Sequence, residues 1–339
     1  MAIMKDVAIR AGVSISTVSF VLNGTSKQHK VADSTAKRVL KAAKELGYQI
    51  NSSIELCPDS IIKQKVIGIL YPQENNANDL GKITENIYQY AGLQNLSCNL
   101  MIIPYQSEQL TISIKNIDWK TVDAAIVVIS HHLDEAFSLD EFPEELPLVF
   151  YNYADSRYNS VSCSSTESSK MLCDVIHTKG YKEIAVIASE SSKGICDLFF
   201  LQFLELCEQS EISVISNNCI SVENSFYGGA IAARKLLNFS SRPTLILSAN
   251  TVLAQGAIPV FARSKFYIPY NTELATFGLD NDLSYLQNHI PSLTMVVIPT
   301  MEMAKIATDL AFQLIETPEI KPVHRICQCK LVLNESLSI

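Results

Sequence analysis

The stretch GVSISTVSFVLNG, residues 12–24, has the pattern of a tight turn followed by one short helix. Gly12 suits the turn because glycine adopts positive φ angles without steric cost. Ser14 suits the start of the helix, since its side-chain oxygen can accept hydrogen bonds from free backbone N–H groups. Val18 and Val21 would give the helix an apolar face. The stretch therefore predicts a turn and a packed helix.

The same helix carries a row of small hydroxyl residues. A helix that enters the major groove with its N-terminus first presents free N–H groups and the positive end of its dipole to phosphate. Ser14, Thr17 and Ser19 can donate to phosphate oxygens without holding the helix away, and Asn23 can contact the backbone at the helix end. Such contacts position a helix but do not read bases. The alternative is that Ser14 only caps the helix and that Thr17 is a surface residue.

The neighbouring residues favour a helix–turn–helix unit. This unit needs a small residue where its helices cross, a turn residue and a buried β-branched residue, and Ala8, Gly12 and Val18 meet these needs. A short helix over residues 6–11 would precede the turn, and a third helix would run from about Asp33 to Leu46. The side chains of the third helix that are expected to face inward are Val39, Leu40, Ala43 and Leu46.

Charge separates this head from the rest of the 339-residue chain. Residues 1–51 hold eight Lys and Arg against three Asp and Glu, a net charge of +5, so the remainder carries −13 because the whole chain carries −8. A basic head on an acidic body indicates a polyanion-binding module joined to a part that binds no polyanion. No apolar run approaches the roughly 18 residues of a membrane helix, and the N-terminus lacks a signal-peptide pattern. We therefore expect a cytoplasmic protein.

From residue 65 onward, short apolar runs alternate with longer helical patterns. Examples are KVIGILY (65–71), AAIVVIS (124–130) and PTLILSAN (243–250). Continuous rather than alternating apolar residues are typical of strands covered on both faces, and strand–helix alternation over this length predicts an α/β body of two doubly wound lobes. The last run, HRICQCKLVL (324–333), has no helix after it and is expected at a sheet edge.

The expected domain organisation follows from these patterns. Pro58 interrupts the segment between head and body, so a helix there would end by about residue 57. The predicted units are a helix–turn–helix head at 1–50, a linker at 51–64, and a body at 65–339 with an N-lobe at about 65–157 and 291–321 and a C-lobe at about 158–290 and 322–339.

The sequence lacks common motifs of enzymes and of metal sites. The nine cysteines are scattered without zinc spacing, and Cys327 and Cys329 lie in an apolar run, so they are expected to be reduced, small hydrophobic residues without a metal. No phosphate-binding glycine loop, metalloprotease motif or nucleophile elbow occurs. We therefore expect neither an enzyme nor a cofactor.

Several motifs carry a resemblance to one family. MKDVAIRAGVSISTVSFVLNG (4–24) and RVLKAAKELGYQIN (38–51) resemble the head of the lactose-repressor (LacI/GalR) family, while ANTVLAQGA (249–257) and TFGLDND (276–282) resemble segments of its body. The resemblance implies a homodimeric transcriptional repressor on a near-palindromic, double-stranded operator. It also implies a type I periplasmic-binding-protein-like body that holds a small effector, expected to be a carbohydrate, between its lobes.

Carried over by position, the resemblance assigns the DNA contacts. Ile15, Ser16 and Phe20 would face bases, while the phosphate contacts are those named above, and His29 in the following loop joins the set. Family members usually have an arginine, which reads guanine, in place of Phe20. Phe20 can instead pack on a thymine methyl group; the alternative is that its ring turns into the core of the head.

The linker departs from the family pattern. Asn51 is retained, but Ile50 replaces the usual proline before it, and Glu55 stands near a basic position. An acidic side chain is repelled by phosphate. Leu56 either inserts into the minor groove as an apolar wedge or does not enter it, so DNA bending stays open.

The effector positions of the family are mostly changed here. They would correspond to Asn152, Asp197, Thr251 and Asp280, of which Asp280 matches the family pattern. Tyr71, Tyr151 and Tyr227 are expected to add rings that suit ligand stacking; the alternative for each of them is ordinary packing. One hypothesis is a cleft adapted to a different, less charged or cationic ligand. Another is a cleft that has lost its ligand, with control passing to protein concentration or a protein partner. A secreted solute-binding protein would share the body but would need a signal peptide where the basic head stands.

Overall fold

A computed structural model of the chain describes residues 4–22, 26, 29, 31–46, 65–73, 77–94, 96–106, 110–115, 117–129, 141–190, 195–210, 212–239, 242–318 and 321–337. The chain divides into two compact units, 1–63 and 64–339, which we call the head and the body. In the part that the structure describes, no helix combines the length and the apolar character that a membrane span needs.

The head contains three described helices, α1 (Met4–Ala11), α2 (Ile15–Leu22) and α3 (Asp33–Glu45). Ala8 and Val18 are buried in its core, and Gly12 takes a positive φ of 64° in the turn between α1 and α2. The small, turn and β-branched residues that the sequence predicts for a helix–turn–helix unit therefore occupy the positions that this unit requires.

The buried face of α3 differs from the expectation in two residues. Val39, Ala42 and Ala43 are buried, whereas Leu40 and Leu46 are 36% and 37% exposed. Residues 39, 42 and 43 have the i, i+3, i+4 spacing of one helix face. Leu40 lies outside that face and Leu46 follows the last helical residue, so the prediction that both face inward is wrong.

The body is built on two mainly parallel sheets, with six described strands in each. The strands of the first sheet, in spatial order, are β11 (His324–Cys327), β5 (Ser160–Cys163), β4 (Leu148–Tyr151), β3 (Ala124–Val128), β1 (Lys65–Pro72) and β2 (Cys98–Tyr105). Those of the second are β12 (Lys330–Val332), β10 (Thr294–Ile298), β9 (Glu273–Leu279), β8 (Leu245–Ser248), β6 (Glu183–Ser189) and β7 (Ser213–Val222).

Helices connect the parallel strands. Those that the structure describes in the body are α4 (Ala77–Leu93), α5 (Leu110–Ile114), α6 (Ser165–Thr178), α7 (Ile195–Gln209), α8 (Phe226–Leu237), α9 (Thr251–Arg263), α10 (Asp280–Leu286) and α11 (Thr300–Glu316). Every residue of β3, β8 and β10 is buried. Continuous burial is what a parallel strand with helices on both faces requires, and the predicted doubly wound α/β body is confirmed.

The crossovers between the two sheets lie later in the chain than the expected lobe boundaries. Ser160–Cys163 and His324–Cys327 belong to the first sheet, and Thr294–Ile298 belongs to the second. The expected boundaries had assigned each of these strands to the other lobe. In each case the chain completes its strand and passes to the other lobe only at the carboxyl end.

The run HRICQCKLVL lies at two sheet edges rather than one. Its first part is β11, which pairs in parallel with β5 at the edge of the first sheet. Its second part is β12, which pairs antiparallel with β10 at the edge of the second sheet. The expectation of an edge position is confirmed, but a continuous pattern of apolar residues gave no sign of the change of sheet.

Helices α8 and α9 pack closely because glycines lie where they meet. A Cβ atom on Gly256 would stand 2.1 Å from the carbonyl oxygen of Phe226, and one on Gly229 would stand 2.2 Å from the carbonyl oxygen of Leu253. A methyl group at either position has no room without a shift of backbone. Gly81 in α4, by contrast, has no neighbour within 4 Å of such an atom.

Replacement of Gly256 by alanine tests this contact. We expect Gly256→Ala to lower the free energy of unfolding of the body by about 1–3 kcal/mol, the range for overpacking a close contact. Gly81→Ala is the matched control and should raise it by roughly 0.5–1 kcal/mol, because alanine is the better helix former. Chemical denaturation of both variants measures the difference; an equal response would contradict the proposed close crossing.

Candidate nucleic-acid interface and effector cleft

The start of α2 carries three linked hydroxyl groups. Ser14 Oγ accepts a hydrogen bond from the backbone N–H of Thr17 at 3.1 Å, which caps the helix. The same oxygen lies 2.8 Å from Thr17 Oγ1 and 2.9 Å from Ser16 Oγ. These two hydroxyl contacts use two of the three hydroxyl hydrogens, so one O–H of the group is left to donate to an outside acceptor.

The predicted base-facing residues of α2 lie beside this group. Ile15 is 49% exposed, and Ser16 is exposed as well. Ser19 is half-buried on the next turn. The remaining predicted DNA contacts Asn23, Asn51 and Leu56 lie outside the described residues. The first turn of α2 thus presents an exposed surface on which small hydroxyl groups surround one aliphatic side chain.

Phe20 packs on another ring. Its ring centroid lies 3.7 Å from that of His29, and the two planes differ by only 10°. Phe20 is half-buried and lies outside the cluster of apolar side chains that forms the described core of the head. The alternative in which Phe20 turns into that core is therefore wrong, and contact with a thymine methyl group stays a prediction. The polar loop that carries His29 held no sequence signal for this stack.

The six predicted effector residues share one position in the topology. Each lies at the carboxyl end of a strand or at the start of the helix that follows it, where parallel α/β sheets place their ligands. They are Tyr71 on β1, Asn152 after β4, Asp197 on α7, Tyr227 on α8, Thr251 on α9 and Asp280 at the start of α10.

Asp280 is bonded to the start of α11. Its Oδ1 accepts a hydrogen bond from Thr300 Oγ1 at 2.7 Å, and its Oδ2 accepts one from the backbone N–H of Met301 at 2.8 Å. Pro299 in the N-cap position of α11 offers no side-chain hydrogen bond. Asp280 therefore caps a helix that follows a different strand.

Thr251 is also engaged within the C-lobe. Its hydroxyl donates to Asp282 Oδ2 at 3.1 Å, and the same oxygen accepts the backbone N–H of Leu279 at 3.2 Å. Sequence reasoning missed Asp282 and Thr300 as partners. The second aspartate of TFGLDND was the available signal for Asp282, while no motif marked Thr300, which follows the next strand of the chain.

The N-lobe positions have structural contacts too. Asn152 takes a positive φ of 61°, a conformation that asparagine tolerates, and its Nδ2 donates to the carbonyl oxygen of Ile129 at 3.0 Å. Tyr71 is buried. Tyr151, which precedes Asn152 in the sequence, is also buried and donates to the carbonyl oxygen of Thr300 at 3.3 Å. These side chains shape the wall of the N-lobe.

The two remaining positions differ strongly in exposure. Asp197 is buried near the start of α7, whereas Tyr227 is 67% exposed at the start of α8, next to the exposed ring of Phe226. An exposed aromatic ring at the carboxyl end of a sheet offers a flat apolar surface to a ligand. Tyr227 is thus the predicted effector residue whose side chain is most available.

Other surface features do not coincide with these residues. Two pockets of about 730 and 700 Å³ lie elsewhere on the body, one beside Phe142 and Tyr158 and the other beside Tyr267 and Tyr270. Within the described ranges, no three side chains of His, Cys, Asp or Glu are arranged to hold a metal ion.

The Asp280 cap can be tested by its effect on stability. We expect Asp280→Ala to lower the free energy of unfolding of the body by about 0.5–2 kcal/mol, the range for a lost helix cap, because alanine can accept neither the Met301 N–H nor the Thr300 hydroxyl. Asp174→Ala on the exposed side of α6 should stay within about 0.5 kcal/mol of the parent. Denaturation of the ligand-free proteins measures both, and unchanged stability of Asp280→Ala would argue against the cap.

Family models match both units. Residues 3–51 match the model described as bacterial regulatory proteins of the lacI family, and residues 173–337 match the periplasmic binding protein-like domain. The chain is 24% identical over 344 residues to the ribose operon repressor of Haemophilus influenzae, with 99% of each chain covered. It is 26% identical to the transcriptional regulator RegA of Clostridium saccharobutylicum, with 98% of each covered.

Solved structures share the fold. A LacI family transcription regulator from Clostridium acetobutylicum has a TM-score of 0.70 at 26% identity and covers 79% of this chain and 99% of its own. The lac repressor dimer bound to operator has a TM-score of 0.68 at 21% identity and covers 100% of this chain and 99% of its own. With a lacI-type helix–turn–helix head and a two-lobed, periplasmic-binding-protein-like body, the chain belongs to the lacI family of bacterial regulatory proteins.

Proposed function

We propose that the protein is a sequence-specific, DNA-binding transcriptional repressor. The observation that carries the proposal is the exposed hydroxyl group of Ser14, Ser16 and Thr17 at the N-terminus of α2, within a helix–turn–helix head. Hydroxyl donors and the positive end of the helix dipole together suit phosphate oxygens. The relatives named as ribose operon repressors support the direction of regulation.

The DNA partner is proposed to be a near-palindromic duplex. A two-fold symmetric dimer places one head on each half-site, so the operator repeats its sequence in inverted order. The matching solved structure of a lac repressor dimer on its operator supports a homodimer for this chain. The same assignment makes the protein a cytoplasmic regulator rather than an enzyme, in keeping with the regulators and repressors among its relatives.

The body is proposed to hold a small effector, a carbohydrate, at the carboxyl ends of its strands. Tyr227 and Phe226 present exposed rings there, and sugar rings stack on aromatic faces through their apolar C–H groups. The relatives include ribose operon repressors and a regulator in complex with cellobiose, which supports a sugar, and purine repressors, which support a nucleobase as the second class.

The first experiment tests base reading by Phe20. We expect selection from a random duplex pool to return a near-palindrome with A·T at the step that Phe20 faces, because phenylalanine packs on a thymine methyl group. Phe20→Arg should shift that step to guanine, since a bidentate arginine is worth about 1–3 kcal/mol of discrimination. Sequencing of the bound duplexes measures both preferences.

A charge-matched control accompanies it. Leu40→Arg places the same charge on the exposed part of α3 and should leave the preferred base at that step unchanged. Guanine at this step with the parent protein would refute thymine reading. Affinity that does not fall with rising salt would refute the DNA-binding proposal itself, because phosphate contacts release counterions.

The second experiment tests the effector. We expect ribose, cellobiose or one of their phosphates to raise the melting temperature of the full chain, because a ligand of the folded state stabilises it. Tyr227→Ala should abolish the shift, whereas Tyr270→Ala, at a tyrosine that is 89% exposed elsewhere on the C-lobe, should not. A screen of sugars, sugar phosphates and purines without any shift would favour control by a protein partner.

A further inference from the structure

Phe20 lies on the exposed face of α2 rather than on its core face. The buried residues of α2 are Val18 and Val21. Phe20 comes four residues after the exposed Ser16, a spacing that puts two side chains on one face of a helix, one turn apart. The ring of Phe20 is half-buried and lies outside the apolar core of the head. It therefore continues the surface that the first turn of α2 presents.

The loop after α2 brings a second ring to this surface. The backbone N–H of Val31 donates to the carbonyl oxygen of Ser26 at 2.9 Å, and Val31 packs against the core of the head. His29 lies within the loop that this hydrogen bond closes, and it is exposed. Its ring stacks on that of Phe20, with 3.7 Å between the centroids and 10° between the planes. The closed loop thus holds His29 against α2.

A stack of this kind restricts the ring that it covers. A phenylalanine on a helix surface can change its rotamer, and fixing one rotamer when a ligand binds costs conformational entropy. Because His29 covers one face of Phe20, rotamers that would carry the ring through His29 are excluded before DNA is bound. A side chain that already has its bound conformation loses less freedom on binding. The stack therefore prepares Phe20 for contact with a base.

Only one of the two faces of the Phe20 ring is covered by His29. The opposite face and the ring edge stay on the side from which a thymine methyl group can approach. We propose that His29 is a positioning residue for base reading, which acts through Phe20 by holding its ring in one orientation. This inference rests on the proposed DNA-binding function and adds a second residue to the reading of one base step.

Direct contact with DNA is the competing role of His29, and it is the role that the sequence predicts. The imidazole can donate a hydrogen bond to a phosphate oxygen. A phosphate contact strengthens binding to all sequences alike, whereas a positioning residue changes the preference for one base. The structure favours positioning, because the ring keeps its contact with Phe20 only in the plane that the stack sets.

Competition binding of the full chain to single-base variants of its selected operator tests the role. We expect His29→Ala to reduce the preference at the step that Phe20 faces about two- to tenfold, the range for one aromatic pair. Preferences at the other steps should stay unchanged. His29→Phe keeps a ring without a donor and should keep the preference, whereas His29→Gln keeps a donor without a ring and should lose it.

A double-mutant cycle shows whether His29 acts through Phe20. Phe20→Leu removes the ring and keeps an apolar side chain, so His29→Ala should cause no further loss of preference in that background. His177→Ala makes the same replacement at an exposed position of the body and should leave every base preference as in the parent. Circular dichroism and melting temperatures should show that all variants are folded.

Four results overturn the positioning role. They are an unchanged preference in His29→Ala, a preference that His29→Gln keeps and His29→Phe loses, an equal loss of affinity for all sequences, and an added loss in the Phe20→Leu background. A parent that binds duplexes in a salt-dependent way but prefers no base at this step also overturns the role, and it leaves DNA binding intact. A parent whose affinity is independent of salt overturns both the role and the DNA-binding proposal.

Discussion

The hydrogen bonds between Asp280 and the start of α11 hold the point at which the chain passes from the second sheet to the first. Pro299 offers no side-chain cap, so the carboxylate from the end of β9 meets Thr300 and Met301 instead. Tyr151 at the end of β4 contacts the same turn from the first sheet. One turn of backbone is thus bonded to strands of both lobes, and the relation of the lobes depends on it.

This arrangement changes how the predicted effector residues are understood. Asp280 and Thr251 were expected to bind a ligand, and both are bonded within the protein in the structure described. A ligand that bound them would have to replace those contacts, and such an exchange would act directly on the crossover. A ligand could contact the ring of Tyr227 without such an exchange, because the ring is exposed at the start of α8.

Local patterns in the sequence were enough to predict the strands of the body and the helix–turn–helix unit of the head. Continuous apolar runs such as those of β3 and β10 are typical of covered strands. Ala8, Gly12 and Val18 satisfy constraints that act within a short stretch of chain. Contacts between separate segments of the chain were not predicted from these patterns. The stack of Phe20 on His29, the bond from Asp280 to Thr300 and the late crossovers each depend on where separate segments meet, which periodicity does not encode.

The two-residue link between β11 and β12 has a mechanical consequence. Cys327 ends β11 and Lys330 begins β12, and these strands lie at the edges of different sheets. The three residue steps between them span at most about 11 Å. The two edges are tethered at that separation, so the sheets cannot drift apart on this side and are left with rotation about it. The strands at the opposite edges, β2 and β7, then have the longest lever arms, and a small change of angle at the link becomes the largest displacement there.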